Sequence, residues 1–111
     1  DRVSIGAGSV IACGAHVHTH STVKRTCSGG AELLEHAPTA IGSGVSICAG
    51  AIVLMGCSIG DRAVVGAGAV VLEGARIGPG ETWAGVPARC INRPTDSEEL
   101  ARVTRMKGDL R

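Results

Sequence analysis

The chain has 111 residues with 11 basic and 10 acidic side chains, and a net charge of +1 gives no pull toward nucleic acid or anionic lipid. It holds 17 Gly, one Trp and no Phe or Tyr, which excludes modules that stack bases on aromatic platforms. Glycine at that frequency disfavours a helical bundle, and no apolar run approaches the roughly 20 residues of a membrane-spanning helix.

The chain opens in the middle of a repeat unit. Asp1-Arg2-Val3-Ser4 reads as the tail of a six-residue unit, like Asp61-Arg62-Ala63-Val64 after Ile59-Gly60. The expectation is that N-terminal coils precede this sequence. From Ile5 onward an aliphatic residue recurs every six positions, with one gap of eighteen between Val23 and Ile41. The set is Ile5, Ile11, Val17 and Val23, then Ile41, Ile47, Val53, Ile59, Val65, Val71 and Ile77, with Trp83 next. Four residues after each mark comes Ser9, Ala15, Ser21, Cys27, Val45, Ala51, Cys57, Ala63, Ala69 or Ala75, all small or β-branched; Glu81 breaks the rule.

A period of six fits neither a helix of 3.6 residues per turn nor simple strand alternation. It fits a coil with flat faces and tight corners. One aliphatic per hexad points inward and stacks on its counterpart in the next coil, and the small residue fits the corner. Gly60, Gly66 and Gly78 follow the aliphatics, and Gly8, Gly44, Gly68 and Gly80 lie three after them; all are read as turn residues that tolerate positive φ. Three hexads per coil predict a triangular solenoid of short parallel strands. Periodicity does not fix its hand.

Three of the four histidines fall together in His16-Val17-His18-Thr19-His20. In an extended segment the three would share one face, as a metal site needs. The hexad corner between His16 and His18 spoils that parity and no carboxylate is adjacent, so no metal is expected. The fourth, His36, lies in residues 29–40, GGAELLEHAPTA, which leave the repeat. Gly29 and Gly30 are read as the start of this excursion loop and Pro38 as its close. Long loops in compact domains are more often functional than connective.

The five cysteines, Cys13, Cys27, Cys48, Cys57 and Cys90, are odd in number and form no C-x-x-C pair. They read as reduced thiols in a cytoplasmic protein, serving mostly as small apolar side chains. The repeat ends near residue 91. Residues 92–111 are read as a tail in which Asp96-Ser97-Glu98-Glu99 is expected to start a short helix over 97–107, with Leu100, Val103 and either Met106 or Leu110 as its apolar stripe.

The run IGSGVSICAGAIVLMGCSIGDRAVVGAGAVV, residues 41–71, and AGVPARCI, residues 84–91, resemble the hexapeptide-repeat acyltransferases. More narrowly they resemble the acetyl-CoA-dependent O- and N-acetyltransferases of sugars and related small molecules. The resemblance covers residues 1–91. It implies a left-handed parallel β-helix domain, acetyl-CoA as cosubstrate, and a homotrimer with active sites between neighbouring solenoids. A carbonic-anhydrase-like reading of the same solenoid, with His ligands from adjacent coils, is not supported, because residues 41–70 contain no His.

Moving an acyl group from a thioester to a hydroxyl or amine needs a base for the nucleophile's proton, and imidazole is the usual choice. The resemblance puts that base on the hexad before the excursion, where Thr19-His20 matches a frequent Thr-His pair. His20 is the first choice. Thr22 stands where several sugar acetyltransferases carry the His, so His18 is an alternative. His36 is the base if the closer relatives are serine-acetyltransferase-like. For the donor, the resemblance implies backbone contacts with the pantetheine arm around Ala49 and Ala67-Gly68, and phosphate recognition by Arg89. Leu72-Glu73 and Ser46 depart from the pattern at positions where relatives often carry Thr-Lys and Trp. These departures keep open a rival reading, a non-catalytic trimeric solenoid that binds a ligand or partner.

Overall fold

A computed structural model describes residues 2–93, and the tail helix expected over 97–107 lies outside the described residues. The first coil contains β1 (Val3–Ile5), β2 (Val10–Ile11) and β3 (His16–Val17). An excursion comes next, with β4 (His20–Ser21), α1 (Val23–Cys27) and β5 (Glu35–His36). The second coil contains β6 (Thr39–Ile41), β7 (Ser46–Ile47) and β8 (Ile52–Val53), and the third β9 (Ser58–Ile59), β10 (Val64–Val65) and β11 (Val70–Val71). The last coil has β12 (Arg76–Ile77) and β13 (Thr82–Ala84), and β14 (Arg89–Asn92) closes the described chain.

Pairing between coils is parallel and generates three flat faces. The first face is β1-β6-β9-β12, the second β2-β7-β10-β13, and the third β3-β8-β11. Ala40 pairs with Ser58, Ser46 with Val64, and Ile52 with Val70, so one coil is three hexads long. β14 turns back antiparallel on β13 and ends the parallel stack.

The expected inward stack is present from residue 41 onward. Ile41, Ile47, Val53, Ile59, Val65, Val71 and Ile77 are all buried, and so are the corner residues Val45, Ala51, Cys57, Ala63 and Ala69. Cys57 behaves as a small core group. Its thiol donates to the Leu72 carbonyl at 3.1 Å, and burial pushes its pKa up. In the first coil the marked Ile5 and Ile11 remain exposed, at the end of the stack.

Two readings of the glycines separate here. Gly44 has φ 66° and needs the left-handed region, as expected for the third place after the aliphatic. Gly60 does not. A Cβ there would stand 2.6 Å from the backbone nitrogen of Pro79, so close approach of the next coil is what excludes a side chain.

The excursion is longer than residues 29–40. The coil is left after His18 and regained at Thr39, because Val3 of the first coil pairs with Thr39 of the second, not with a residue 18 positions on. Val23 and Cys27 fall in phase with the hexads by spacing alone. Val23 opens α1 and is 63% exposed, and Cys27 ends it, also exposed. Gly29 and Gly30 close this helix instead of starting a loop. The Gly30 N–H donates to Arg25 O at 2.8 Å and the Gly29 N–H to Thr26 O at 3.1 Å, with both glycines at positive φ. That is the paired C-terminal cap that glycine favours.

Glu81, the exception to the small-residue rule, is accounted for by its place in the last coil. It occupies the corner of Val45 and Ala63, with its side chain turned onto the closing turn. Its carboxylate accepts from the Gly78 N–H (2.7 Å), the Trp83 indole N–H (3.1 Å) and Arg93 Nε (2.6 Å). Burial pushes the Glu81 pKa up, but these donors outweigh it and hold the group below its ordinary 4.5. A carboxyl whose pKa is lower folded than unfolded stabilises the fold above the unfolded value, and that contribution is lost as pH falls through the folded one. The melting temperature should therefore fall as pH is lowered below 4.5, and Glu81→Gln should flatten that part of the profile. Thermal melts of both proteins between pH 3 and 7 read this directly; parallel curves would remove Glu81 as the cause.

Candidate active site

The neck of the excursion is built where the third face meets the next corner. β3 is held to the second coil by the His16 N–H donating to Ala51 O and the His18 N–H to Val53 O, both at 2.9 Å. The chain then departs. Thr39, which is buried, pins the departure: its hydroxyl donates to His18 O at 2.8 Å and accepts from the Gly56 N–H at 3.1 Å. The Ala37 N–H donates to Thr19 O at 2.9 Å, and β4 and β5 continue as a short antiparallel ladder with His20 opposite His36 and Ser21 opposite Glu35. Lys24 on α1 reaches Glu35 at 3.7 Å across the exposed outer side.

This geometry sorts the four histidines into two pairs. His16, on β3, and His18, just past its end, stack with ring centroids 6.0 Å apart and planes 21° apart. His20 leaves that row with the excursion and faces His36, with centroids 6.3 Å apart and planes 34° apart. Two of the three candidate bases, His20 and His36, are thus brought together, although 15 residues separate them in the chain. His18 sits at the root of the same neck. Among the described residues no group of three or more His, Cys, Asp or Glu side chains is placed to hold a metal ion.

The expected donor residues gather elsewhere on the third face. The Gly68 N–H donates to Ala49 O at 3.0 Å, so Ala49, Ala67 and Gly68 share the exposed corner that leads into β8 and β11. Arg89 is next to Ala88, whose N–H donates to Val70 O at 2.8 Å, which puts the exposed arginine beside the start of β11. Its guanidinium donates to Ala88 O at 3.0 Å. The corner of Ala49 and Ala67 precedes the strands of the third face, while the His20–His36 pair lies beyond their far end. Within one chain the two sets occupy opposite edges of that face.

Sequence reasoning missed Thr39 and the His20–His36 register. A Thr directly after Pro38, at the point where hexads resume, was the available signal for the first. Alternation over two residues is too short to signal the second.

The chain matches no protein-family model and no curated protein sequence. Solved structures match it well. One is a hexapeptide-repeat-containing acetyltransferase from Vibrio cholerae complexed with acetyl-coenzyme A, 26% identical with TM-score 0.71, covering 85% of this chain and 50% of that one. A maltose O-acetyltransferase from Clostridium difficile is 30% identical with TM-score 0.71, covering 85% and 49%. A galactoside acetyltransferase in complex with coenzyme A is 29% identical with TM-score 0.72, covering 87% and 48%. The chain therefore spans about half the length of these proteins. Its structural neighbours are hexapeptide-repeat acetyltransferases, the family that the hexads and the AGVPAR segment resemble.

Proposed function

We propose that this chain carries an acetyl-CoA-dependent acetyltransferase activity, moving an acetyl group to a hydroxyl or amine of a sugar or related small molecule. The observation that carries the reading is the His20–His36 pair at the neck of a hexapeptide solenoid whose neighbours bind acetyl-CoA or CoA. The sugar class is supported by the maltose and galactoside enzymes among those neighbours. The solenoid is taken as left-handed, the hand the resemblance implies. The free thiols, Cys13 and Cys27 exposed among them, fit a cytoplasmic setting.

His20 is the general base. It accepts the proton of the acceptor hydroxyl or amine as the oxygen or nitrogen attacks the thioester carbonyl. The tetrahedral intermediate collapses with loss of the coenzyme A thiolate, and no acyl-enzyme forms. Backbone groups at Ala49, Ala67 and Gly68 lie along the pantetheine arm, and Arg89 meets a phosphate. Because that corner and the histidines stand on opposite edges of the third face, a donor on one solenoid meets the base of a neighbour in a trimer. His36, directly opposite His20, is the alternative base and favours the serine-acetyltransferase-like variant.

A thiol-release assay with acetyl-CoA against sugars, amino sugars and serine tests the reading. Release that depends on a sugar is the expected result; none with any acceptor would favour the non-catalytic solenoid. Light scattering at micromolar concentration should give three chains per particle, and a stable monomer would remove the intersubunit site.

A further inference from the structure

We infer that His20 and His36 form a two-imidazole chelate for a borderline-soft divalent cation such as Ni²⁺ or Zn²⁺. The two residues stand directly opposite each other on an antiparallel ladder. The Ala37 N–H to Thr19 O bond lies one step outside the pair, so His20 and His36 occupy the non-hydrogen-bonded position. There the Cα atoms approach to about 4.5 Å and both side chains leave on the same side. Both residues are exposed, which leaves a cation free to reach them.

The ring positions fit. A metal–nitrogen bond of about 2.1 Å puts each imidazole centroid about 3.2 Å from the ion, and two such rings at a tetrahedral angle stand about 5.2 Å apart. The observed 6.3 Å closes to that by side-chain rotation of about 1 Å, within the freedom of exposed rotamers. His16 and His18 are a poorer pair despite their 6.0 Å centroid separation. They lie two apart in sequence, His16 on β3 and His18 just past its end, and their rings stack face to face at 21° instead of turning toward one point. A metal-bound imidazole uses one nitrogen for the ion and keeps the other for a hydrogen bond, so other contacts of either ring are compatible with binding. No third His, Cys, Asp or Glu joins the pair among the described residues. Water completes the coordination and the ion exchanges freely; while bound it occupies the imidazole that the proposed reaction uses as its base, so it competes with proton transfer. Imidazole selects against Mg²⁺ and Ca²⁺, which take oxygen ligands.

Calorimetric titration of the full chain with Ni²⁺ alone, without acetyl-CoA or acceptor, tests this, with side-chain NMR of the histidines identifying the ligands. The expected result is one ion per chain, with His20→Ala and His36→Ala each weakening binding at least about ten-fold, since each removes the second, intramolecular ligand. His18→Ala should leave binding unchanged, and Mg²⁺ should give no signal. Since both side chains are exposed, circular dichroism should report folded variants, and His36→Gln gives a second polar replacement at that position. Equal weakening by His18→Ala, or binding indifferent to His20 and His36, would overturn the site. The titration contains no substrate, so its outcome is independent of the acetyltransferase assay.

Discussion

Replacing His20 by alanine should lower kcat by roughly a hundred-fold or more while leaving coenzyme A affinity nearly intact. A general base contributes about 10²–10⁴-fold to rate, and only when its nitrogen lies within about 3 Å of the proton it takes. In the proposed reaction the base touches the acceptor, not the donor, so its loss should appear in kcat and not in donor binding. The measurement pairs steady-state rates with coenzyme A titrations for alanine at His18, His20 and His36. If only His36→Ala abolishes turnover, the base is His36 and the serine-acetyltransferase-like variant holds. If none of the three matters, the solenoid is not a catalyst of this kind.

Ile59→Ala should cost roughly 2–5 kcal/mol, a large share of the ~5–15 kcal/mol typical of a whole domain. Ile59 is 3% exposed and pairs in register between Ile41 above and Ile77 below. Truncation removes contacts to both neighbours at once. The parallel ladders fix the spacing of the coils, so the backbone cannot collapse into the space. Loss of stability in denaturant melts is the expected reading, and an unchanged midpoint would contradict the inward stack. The same change at Val23 should do little, since that side chain is already exposed on α1.

These two residues mark how differently the fold and the site were legible. Ile59 could be placed from sequence because its hexad position recurs at Ile41 and Ile77, and each recurrence meets the same physical demand for an inward aliphatic. Val23 satisfied that pattern by coincidence. Nothing in the period distinguishes an aliphatic in a coil from one at the start of a five-residue helix, and the helix was decided by local capping at Gly29 and Gly30. The histidines were legible as a cluster beside an insertion, and their pairing was not. It depends on a two-residue ladder joining segments with 13 residues between them, and so short a ladder leaves no periodicity to read. Glu81 was visible as an exception, but its role needed the closing turn and Arg93 in place around it.

The way Thr39 fastens the neck has a consequence for change over time. The excursion begins and ends at neighbouring points, stitched by Thr39 to His18 and by Ala37 to Thr19. What lies beyond is a side branch whose length does not enter the stacking of Ile41 on Ile59 or of Ile47 on Val65. Doubling such a branch costs only about 0.6 kcal/mol in closure entropy. The segment between Ser21 and Glu35 is thus an exchangeable cassette. Its composition can drift or be grafted while the solenoid that presents it stays as it is.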